Sequence, residues 1–199
     1  MLFSDNFKTN NLLPMDGEVV YYGNIYDRIE ADLYFKKLLN DIKWEHDEVK
    51  IFGKTIITAR KMAWYSIDSK PYSYSNATKH PNTFTDTLLD IKEKVEMISE
   101  EKYNSCLLNL YHNGTEGMGW HADNEKEIVP NSAIASLSFG AERFFSFKHR
   151  ATKETLKFNL QHGSLLVMKG ETQSKWLHSL PKSVKIISPR INLTFRKMA

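Results

Sequence analysis

The segment from Ser188 to Arg196 alternates polar and apolar side chains without a break. Ile191, Leu193 and Phe195 are the apolar members, and polar side chains stand between them. Because successive residues of a strand point to opposite faces of a sheet, the pattern predicts a β-strand with one apolar and one polar face. A half-exposed strand with a solvated charged face shows the same alternation, so the pattern alone predicts no site.

The chain from Ser105 onward consists almost entirely of short strand patterns. Turn signals at Gly140, Gly163 and Gly170 separate several of them. The predicted strands cover residues 105–111, 133–139, 143–149, 154–160, 164–168, 175–179 and 185–196. Short strands at this spacing predict two packed antiparallel sheets.

Two amphipathic helices are predicted before these strands, over residues 27–43 and 84–99. Their apolar residues recur at helical spacing, and Thr83 or Thr85 is the expected N-cap of the second helix. The apolar residues are Ile29, Leu33, Leu38, Leu39 and Ile42 in the first helix and Leu88, Ile91, Val95 and Ile98 in the second.

The composition fits one compact domain, which we expect to span residues 1–199, with 41% hydrophobic residues for its core. The one cysteine, Cys106, cannot form an internal disulfide, and its apolar strand predicts a packed thiol. The N-terminus lacks the pattern of a signal peptide, and no apolar run is long enough to span a bilayer. These features predict a monomeric cytoplasmic protein with no membrane partner.

Three residues, His121, Asp123 and His178, predict a metal site. Each residue alone is weak evidence for a metal site. An Asp beside a surface His is often a helix cap, and a lone His on a strand is usually a core residue. Together they offer two imidazoles and one carboxylate, which can bind one face of a non-haem Fe(II). Arg190 follows the last ligand and suits a second, negatively charged partner.

A strand and a glycine-rich loop precede the first two ligands. Asn109 and Tyr111 point to the same face of this strand, and the loop contains Gly114, Gly117 and Gly119. Glycine permits backbone turns that are closed to other residues. We therefore expect the strand, the loop and the ligand pair to form one structural unit.

Residues 49–80 carry six basic residues and one acid, a net charge of +5, with five interleaved aromatic side chains. Cations neutralise phosphates and aromatic rings stack on bases, so this segment is a candidate nucleic-acid surface. An ordinary hairpin with lysines over core aromatics has the same composition.

Six motifs follow one another in the second half of the chain. They are Asn-Leu-Tyr-His-Asn-Gly (109–114), Gly-Trp-His-Ala-Asp (119–123), Ile-Ala-Ser-Leu-Ser-Phe-Gly-Ala (134–141), His-Gly-Ser-Leu-Leu-Val-Met (162–168), Trp-Leu-His-Ser-Leu-Pro (176–181) and Pro-Arg-Ile-Asn-Leu-Thr-Phe-Arg (189–196). In order and spacing they resemble the AlkB-type Fe(II)/2-oxoglutarate dioxygenases, particularly the members that repair alkylated DNA. The resemblance is specific over residues 105–198, looser over 49–80 and faint before them.

The resemblance implies an α+β, mainly β fold: a double-stranded β-helix, or jelly roll, buttressed by N-terminal helices. Residues 105–198 would form the catalytic core and residues 49–80 a nucleotide-recognition segment. The implied activity is oxidative demethylation of N-alkylated bases in DNA, of the 1-methyladenine and 3-methylcytosine type. It uses Fe(II), O₂ and 2-oxoglutarate and releases succinate, CO₂ and formaldehyde.

The resemblance also implies roles for individual residues. His121, Asp123 and His178 would hold Fe(II), and Arg190 would bind the far carboxylate of 2-oxoglutarate, because a guanidinium matches a carboxylate with two donors. The implied 2-oxoglutarate pocket consists of Asn109, Tyr111, His178, Arg190, Asn192, Thr194 and Arg196.

A methyl group on the pairing edge of a base is out of reach in a stacked duplex, so the nucleotide must be flipped out or single-stranded. The implied substrate-binding residues are Phe52, Gly53, Lys54, Tyr72, Tyr74, Asn124 and Glu125. Phe52 would fill the vacated stack and Tyr74 would cover the flipped base opposite His121. Tyr74 and Asn124 stand where duplex-acting relatives tend to have a phenylalanine and an acid.

Two alternatives remain open at this point. The same oxidising core can act on RNA or protein, since the fold and the ligand set do not fix the target. A jelly roll with a damaged site could instead bind nucleic acid without catalysis. The intact ligand set favours an enzyme, and the basic segment favours an alkylated nucleic acid, most simply DNA.

Overall fold

The structure is a computed structural model that describes residues 10–51, 54–68, 72–74 and 77–199. The helices are α1 (Arg28–Asp41), α2 (Asp86–Ser99) and α3 (Thr172–Lys175). The strands are β1 (Glu18–Asn24), β2 (Glu45–Ile51), β3 (Lys54–Ser66), β4 (Tyr72–Tyr74), β5 (Ala77–Lys79), β6 (Ser105–Tyr111), β7 (Met118–His121), β8 (Ile134–Gly140), β9 (Arg143–His149), β10 (Thr155–Leu160), β11 (Ser164–Lys169), β12 (Trp176–Leu180) and β13 (Arg190–Arg196).

Two antiparallel sheets form the body of the protein. The larger has seven strands in the order β1-β11-β8-β13-β6-β3-β2, and the smaller has four in the order β10-β9-β12-β7. Strands β4 and β5 form a separate pair. Strands distant in sequence are neighbours in both sheets, as when β13 lies between β8 and β6. This arrangement confirms the predicted mainly β fold, a double-stranded β-helix with helices against it.

The two faces of β13 contact different surroundings. Ile191, Leu193 and Phe195 are fully buried in the core under the helices. The polar face is also covered, because Arg190 and Thr194 are only 2% and 7% exposed. A solvated charged face is therefore excluded for this strand, and its polar side chains enclose a cavity between the sheets.

Helix α1 begins with a capping box, in which Asp27 accepts from the Glu30 amide and Glu30 accepts from the Asp27 amide. The predicted apolar stripe of this helix is partly wrong, because Ile29 and Leu33 are 82% and 51% exposed. The buried stripe instead joins Ala31, Tyr34, Phe35, Leu38 and Ile42. These positions follow helical spacing as well, and the small side chain of Ala31 lets the helix approach the sheet closely.

Helix α2 begins at the expected cap, since the Thr85 hydroxyl accepts a hydrogen bond from the Leu88 amide at 3.3 Å. Its buried apolar residues include Leu88, Ile91 and Val95, as the spacing predicted. Within the described residues, no helix is both long and apolar enough to cross a membrane.

The last predicted strand is shorter than expected, because residues 185–189 do not pair as a strand. They belong to a loop that bonds to the glycine-rich loop. The Gly114 amide donates to the Ile186 carbonyl and the Ser183 amide donates to the Gly114 carbonyl, both at 2.7 Å.

Strands β1 and β7 were not predicted. Strand β1 lies at the edge of the larger sheet and pairs with β11, so its formation depends on a distant partner.

The expected reason for the loop glycines is also wrong. None of Gly114, Gly117 and Gly119 adopts a positive φ angle. A Cβ atom at Gly114 would instead collide with the carbonyl oxygen of Ser183, and one at Gly117 would crowd the carbonyl of Leu180. Close approach of two backbones, not backbone conformation, requires the first two glycines.

Candidate metal centre and co-substrate pocket

His121, Asp123 and His178 lie together, and one potential ligand atom from each falls within 4.8 Å of the others. The register of two strands brings the histidines together, because His121 of β7 is the cross-strand partner of His178 of β12. Their ring centroids are 4.3 Å apart. Asp123 follows β7 directly, so its carboxylate reaches the same point.

The carboxylate of Asp123 divides its two oxygens between two tasks. Oδ1 lies 3.8 Å from Nε2 of His121 and 3.9 Å from Nε2 of His178. Oδ2 accepts hydrogen bonds from Nε and Nη2 of Arg196 at 3.1 and 2.7 Å. One oxygen is therefore held by a cation while the other points toward the imidazoles.

His121 is oriented by its backbone neighbourhood. Its Nδ1 donates to the carbonyl oxygen of Gly119 at 2.8 Å. That bond places the ring proton on Nδ1, so the lone pair is on Nε2, the nitrogen that faces Asp123. Nε2 of His121 is therefore the ring nitrogen placed to bind a metal ion.

The protonation states of Asp123 and His178 suit a bound metal ion. Burial opposes ionisation of Asp123, but Arg196 and the two imidazoles outweigh it and lower its pKa to about 2. Burial lowers the pKa of His178 to about 3, although the charge of Asp123 opposes this change. The site thus offers an ionised carboxylate and a neutral imidazole, the forms that bind cations.

Gln173 holds the backbone of Asp123, a contact that sequence reasoning missed. Its Oε1 accepts from the backbone amide of Asp123 at 2.9 Å, and its Nε2 donates to the sulfur of Met168 at 3.2 Å. Fifty residues separate Gln173 from Asp123. No sequence periodicity links two positions that far apart, so only the fold reveals this contact.

A deep pocket opens beside the three residues, between the two sheets. All the residues of the expected 2-oxoglutarate pocket line it, and Glu125 does so as well. Those expected residues are Asn109, Tyr111, His178, Arg190, Asn192, Thr194 and Arg196. Asn124 is exposed and lines a neighbouring depression instead.

Arg190 closes the inner end of the pocket. Its guanidinium is fully buried above the Tyr111 ring, at 5.6 Å from the ring centroid, and Nη2 donates to Ser138 Oγ at 2.9 Å. Burial lowers the pKa of Arg190 to about 10, so it stays charged at neutral pH. Among the described residues, its Nε has no hydrogen-bond partner. A buried cation with an unused donor fits the far carboxylate of 2-oxoglutarate.

The remaining wall residues are fixed before any ligand binds. Nδ2 of Asn192 donates to Ser136 Oγ at 2.9 Å and to the Leu137 carbonyl at 3.0 Å. The Thr194 hydroxyl donates to Oδ1 of Asn192 at 3.2 Å. This chain of bonds along β13 fixes the side-chain rotamers of the pocket floor.

Strand β3 contributes a wall that sequence reasoning did not assign to the site. Arg60, Met62 and Trp64 alternate along this strand, and all three line the pocket. Trp64 is fixed by a hydrogen bond from its indole nitrogen to Ser105 Oγ at 2.7 Å. Their spacing of two was visible in the sequence, and it could have placed them on one face.

Several expected substrate contacts have no described position. Phe52 and Gly53 lie outside the described residues. So do the side chains of Lys54, Tyr72 and Tyr74, whose backbones belong to β3 and β4.

The comparison with known proteins fits this geometry. A sequence model described as the 2OG-Fe(II) oxygenase superfamily matches residues 18–196. The mouse DNA oxidative demethylase ALKBH2 is 36% identical over 94% of this chain and 82% of its own length. The chain is an AlkB-type member of the 2OG-Fe(II) oxygenase superfamily. Its cofactors are accordingly Fe(II), 2-oxoglutarate and O₂, as the sequence led us to expect.

Other AlkB-type proteins show similar agreement. Human DNA oxidative demethylase ALKBH2 is 35% identical over 89% of this chain and 72% of its own length. Bovine alpha-ketoglutarate-dependent dioxygenase alkB homolog 3 is 38% identical over 85% of this chain and 62% of its own length. The solved structure of OsALKBH1 superposes with a TM-score of 0.59 at 15% identity, covering 93% of this chain and 99% of that one. This last likeness supports the jelly-roll fold.

Proposed function

We propose that this AlkB-type oxygenase is an oxidative demethylase of N-alkylated bases in DNA, of the 1-methyladenine and 3-methylcytosine type. The observation that carries the proposal is the common pocket, in which two imidazoles, one carboxylate and the buried cation of Arg190 converge. Relatives named DNA oxidative demethylases, similar over most of the chain, support DNA as the substrate.

In this proposal His121, Asp123 and His178 hold Fe(II). With 2-oxoglutarate and O₂, the bound iron supplies the oxidation that releases an N-methyl group as formaldehyde, leaving succinate and CO₂. The protein fixes the donor set in advance: Arg196 holds one oxygen of Asp123, and the Gly119 carbonyl holds the ring of His121. Little reorganisation is then needed when the cation binds.

Arg190 binds the far carboxylate of 2-oxoglutarate in this proposal. Its Nε, which has no partner among the residues the structure describes, supports that role, since a buried donor without a partner costs free energy until a ligand supplies the acceptor. Asn109, Tyr111 and the polar residues of β13 surround the rest of the co-substrate. The apolar side chains of Leu107 and Leu180 in the same pocket exclude water.

Glu125 is proposed to contact the polar edge of the flipped base. It lines the pocket, and its Oε2 is buried without a hydrogen-bond partner among the described residues. The amino group of a base would be a suitable donor for it. Asn124 is exposed just outside and would meet the substrate near the pocket rim. Residues 49–80, with a net charge of +5, would hold the nucleic acid through its phosphates.

The proposal includes a cytoplasmic location and a monomeric state. The single cysteine, Cys106, is a free buried thiol, which fits a reducing environment. Burial raises the pKa of this thiol, which makes it an unreactive packed group.

The deciding experiment compares three substrates for the iron-loaded protein: methylated DNA, methylated RNA and bulk protein. Formaldehyde and succinate are measured together, with unmethylated DNA as the control. We expect equal amounts of both products on methylated DNA and the fastest turnover there. Faster turnover on RNA or protein would show that DNA is not the preferred substrate, and the oxygenase chemistry would still hold.

A matched set of variants tests the metal assignment in the same assay. His121→Ala, Asp123→Ala and His178→Ala should each lose Fe(II)-dependent turnover, while His112→Ala, an exposed-loop histidine, should not. Near-normal turnover in any of the first three would show that the residue is not a ligand.

A further inference from the structure

Four of the seven methionines of this chain line the pocket: Met62, Met118, Met168 and Met198. Two others are at the surface, with Met15 40% exposed and Met97 72% exposed. Met1 lies outside the described residues. The thioethers are thus concentrated around the candidate metal centre, where an oxidant would be produced.

The sulfur atoms of Met118 and Met168 are each held by a hydrogen-bond donor. The sulfur of Met118 accepts from Nη1 of Arg60 at 3.4 Å. The sulfur of Met168 accepts from Nε2 of Gln173 at 3.2 Å, and Oε1 of the same side chain accepts from the backbone N–H of Asp123.

Both residues line the pocket that contains the candidate ligands. Met118 lies on β7, the strand that ends with His121. Met168 is only 2% exposed, so an oxidant from bulk water reaches it much less readily than it reaches Met97.

A thioether is an easily oxidised group, and its first product is recoverable. Methionine sulfoxide is returned to methionine by specific reductases. The other oxidisable groups of the pocket include the rings of His121, His178 and Trp64. Loss of a ligand ring would end the activity of the molecule, whereas sulfoxide formation can be reversed.

We propose that Met118 and Met168 accept an oxygen atom when 2-oxoglutarate is consumed without a nucleotide in the pocket. This inference rests on the oxygenase function proposed above. One atom of O₂ enters succinate as CO₂ leaves, and the other forms an S–O bond. 2-Oxoglutarate and sulfur each lose two electrons, and O₂ takes up all four. No proton or further reductant is needed.

The two methionines therefore form a sacrificial layer around the metal centre. A sulfoxide is polar and chiral, so it also alters the pocket in which it forms. At Met168 the new oxygen would lie among apolar neighbours beside Gln173, and we expect oxidised molecules to turn over more slowly until they are reduced.

The test is a peptide mass map of the iron-loaded full-length protein after incubation with 2-oxoglutarate and O₂, without nucleic acid. Catalase is included to remove free peroxide. We expect a gain of about 16 Da, one oxygen atom, at Met118 and Met168, with Met15 and Met97 unchanged. With ¹⁸O₂ the gain should be about 18 Da. Peroxide added to the iron-free protein should give the opposite order, with Met97 oxidised first.

Two comparisons complete the design. Met118→Leu/Met168→Leu keeps apolar volume but removes both acceptors, so after substrate-free turnover and treatment with a methionine sulfoxide reductase it should recover less of its starting activity than Met97→Leu does. A methionine sulfoxide reductase should restore the native protein but not the double variant.

The outcomes separate this inference from the proposed function. Succinate formation with unmodified Met118 and Met168, or with oxidation mainly at Met97, overturns the sacrificial layer and leaves the demethylase intact. Absence of succinate under all conditions overturns the oxygenase function, and the inference with it.

Discussion

Arg196 donates two hydrogen bonds to one oxygen of Asp123, at 3.1 and 2.7 Å, and leaves the other oxygen facing two histidines. The guanidinium of Arg196 therefore positions the Asp123 carboxylate, so its role is not limited to binding the co-substrate. Arg190, six residues earlier on the same face of β13, has an Nε with no hydrogen-bond partner in the part of the chain that the structure describes. Two arginines of one strand thus have different roles, which their variants should separate.

Arg196→Leu should weaken metal binding, because Asp123 loses the cation that holds its Oδ2. Loss of such an outer contact costs about 10–100-fold in metal affinity or activity. Titration with Mn²⁺ or Fe(II) under anaerobic conditions measures it. An unchanged metal affinity would show that Asp123 needs no such support.

Arg190→Lys should raise the 2-oxoglutarate concentration needed for half-maximal turnover and leave metal affinity nearly unchanged. Lysine keeps the charge but loses the two-pronged geometry of the guanidinium. Steady-state kinetics with varied 2-oxoglutarate, paired with the metal titration, gives both values. If the requirement for 2-oxoglutarate did not change, Arg196 would become the anchor.

Phe52→Ala should lower activity on duplex DNA more than on single strands, because only a duplex leaves a gap when a base is flipped out. The expected loss is about 1–3 kcal/mol, the range for a base stacked on an aromatic ring. Lys54→Ala is the matched control, since a lost phosphate contact weakens both substrates and reduces the salt dependence. Equal losses on both substrates for Phe52→Ala would leave Phe52 as a packing residue.

Gly114→Ala should destabilise the protein by about 1–3 kcal/mol, because its Cβ would collide with the backbone carbonyl oxygens of Ser183 and Ile186. Gly119→Ala is the control, since a Cβ atom at that position would meet no atom of the described residues within 4 Å. Chemical denaturation compares the two variants. Similar stability of both would mean that the two loops move apart at little cost.

Glu96→Gln should lower the free energy of unfolding at neutral pH by about 1.5–3 kcal/mol, the range for hydrogen bonds to charged groups. Burial opposes ionisation of this carboxyl, but Lys92, the Tyr103 amide and Lys102 hold its pKa below the usual value.

The pH dependence of this effect follows from the sign of the pKa shift. A lowered pKa contributes stability above the usual carboxyl range, and this stability is lost as the pH falls through the folded-state pKa. The difference between native protein and Glu96→Gln should therefore shrink in acid. Glu93→Gln, exposed on the same helix, is the control and should show little effect at any pH. A difference that stays constant with pH would exclude the ionised form as its cause.

The sequence by itself indicated most of the strands from Ser105 onward, the two helix starts and the three candidate metal-site residues. Alternation in Ile191, Leu193 and Phe195 is a local property, and so is a cap such as Thr85, because both depend on neighbours within one element. The resemblance of the six motifs then assigned the family. These features needed no knowledge of which strands pair.

The tertiary structure decided everything that depends on partners distant in the chain. Only the β7–β12 register places His121 opposite His178. Only packing between distant elements brings Arg196 to the Asp123 carboxylate and Gln173 to the Asp123 backbone amide. The exposure of Ile29 also depended on which side of α1 meets the sheet. The physical reason is that burial and charge pairing are set by packing between elements, while sequence periodicity reports only the faces within each element.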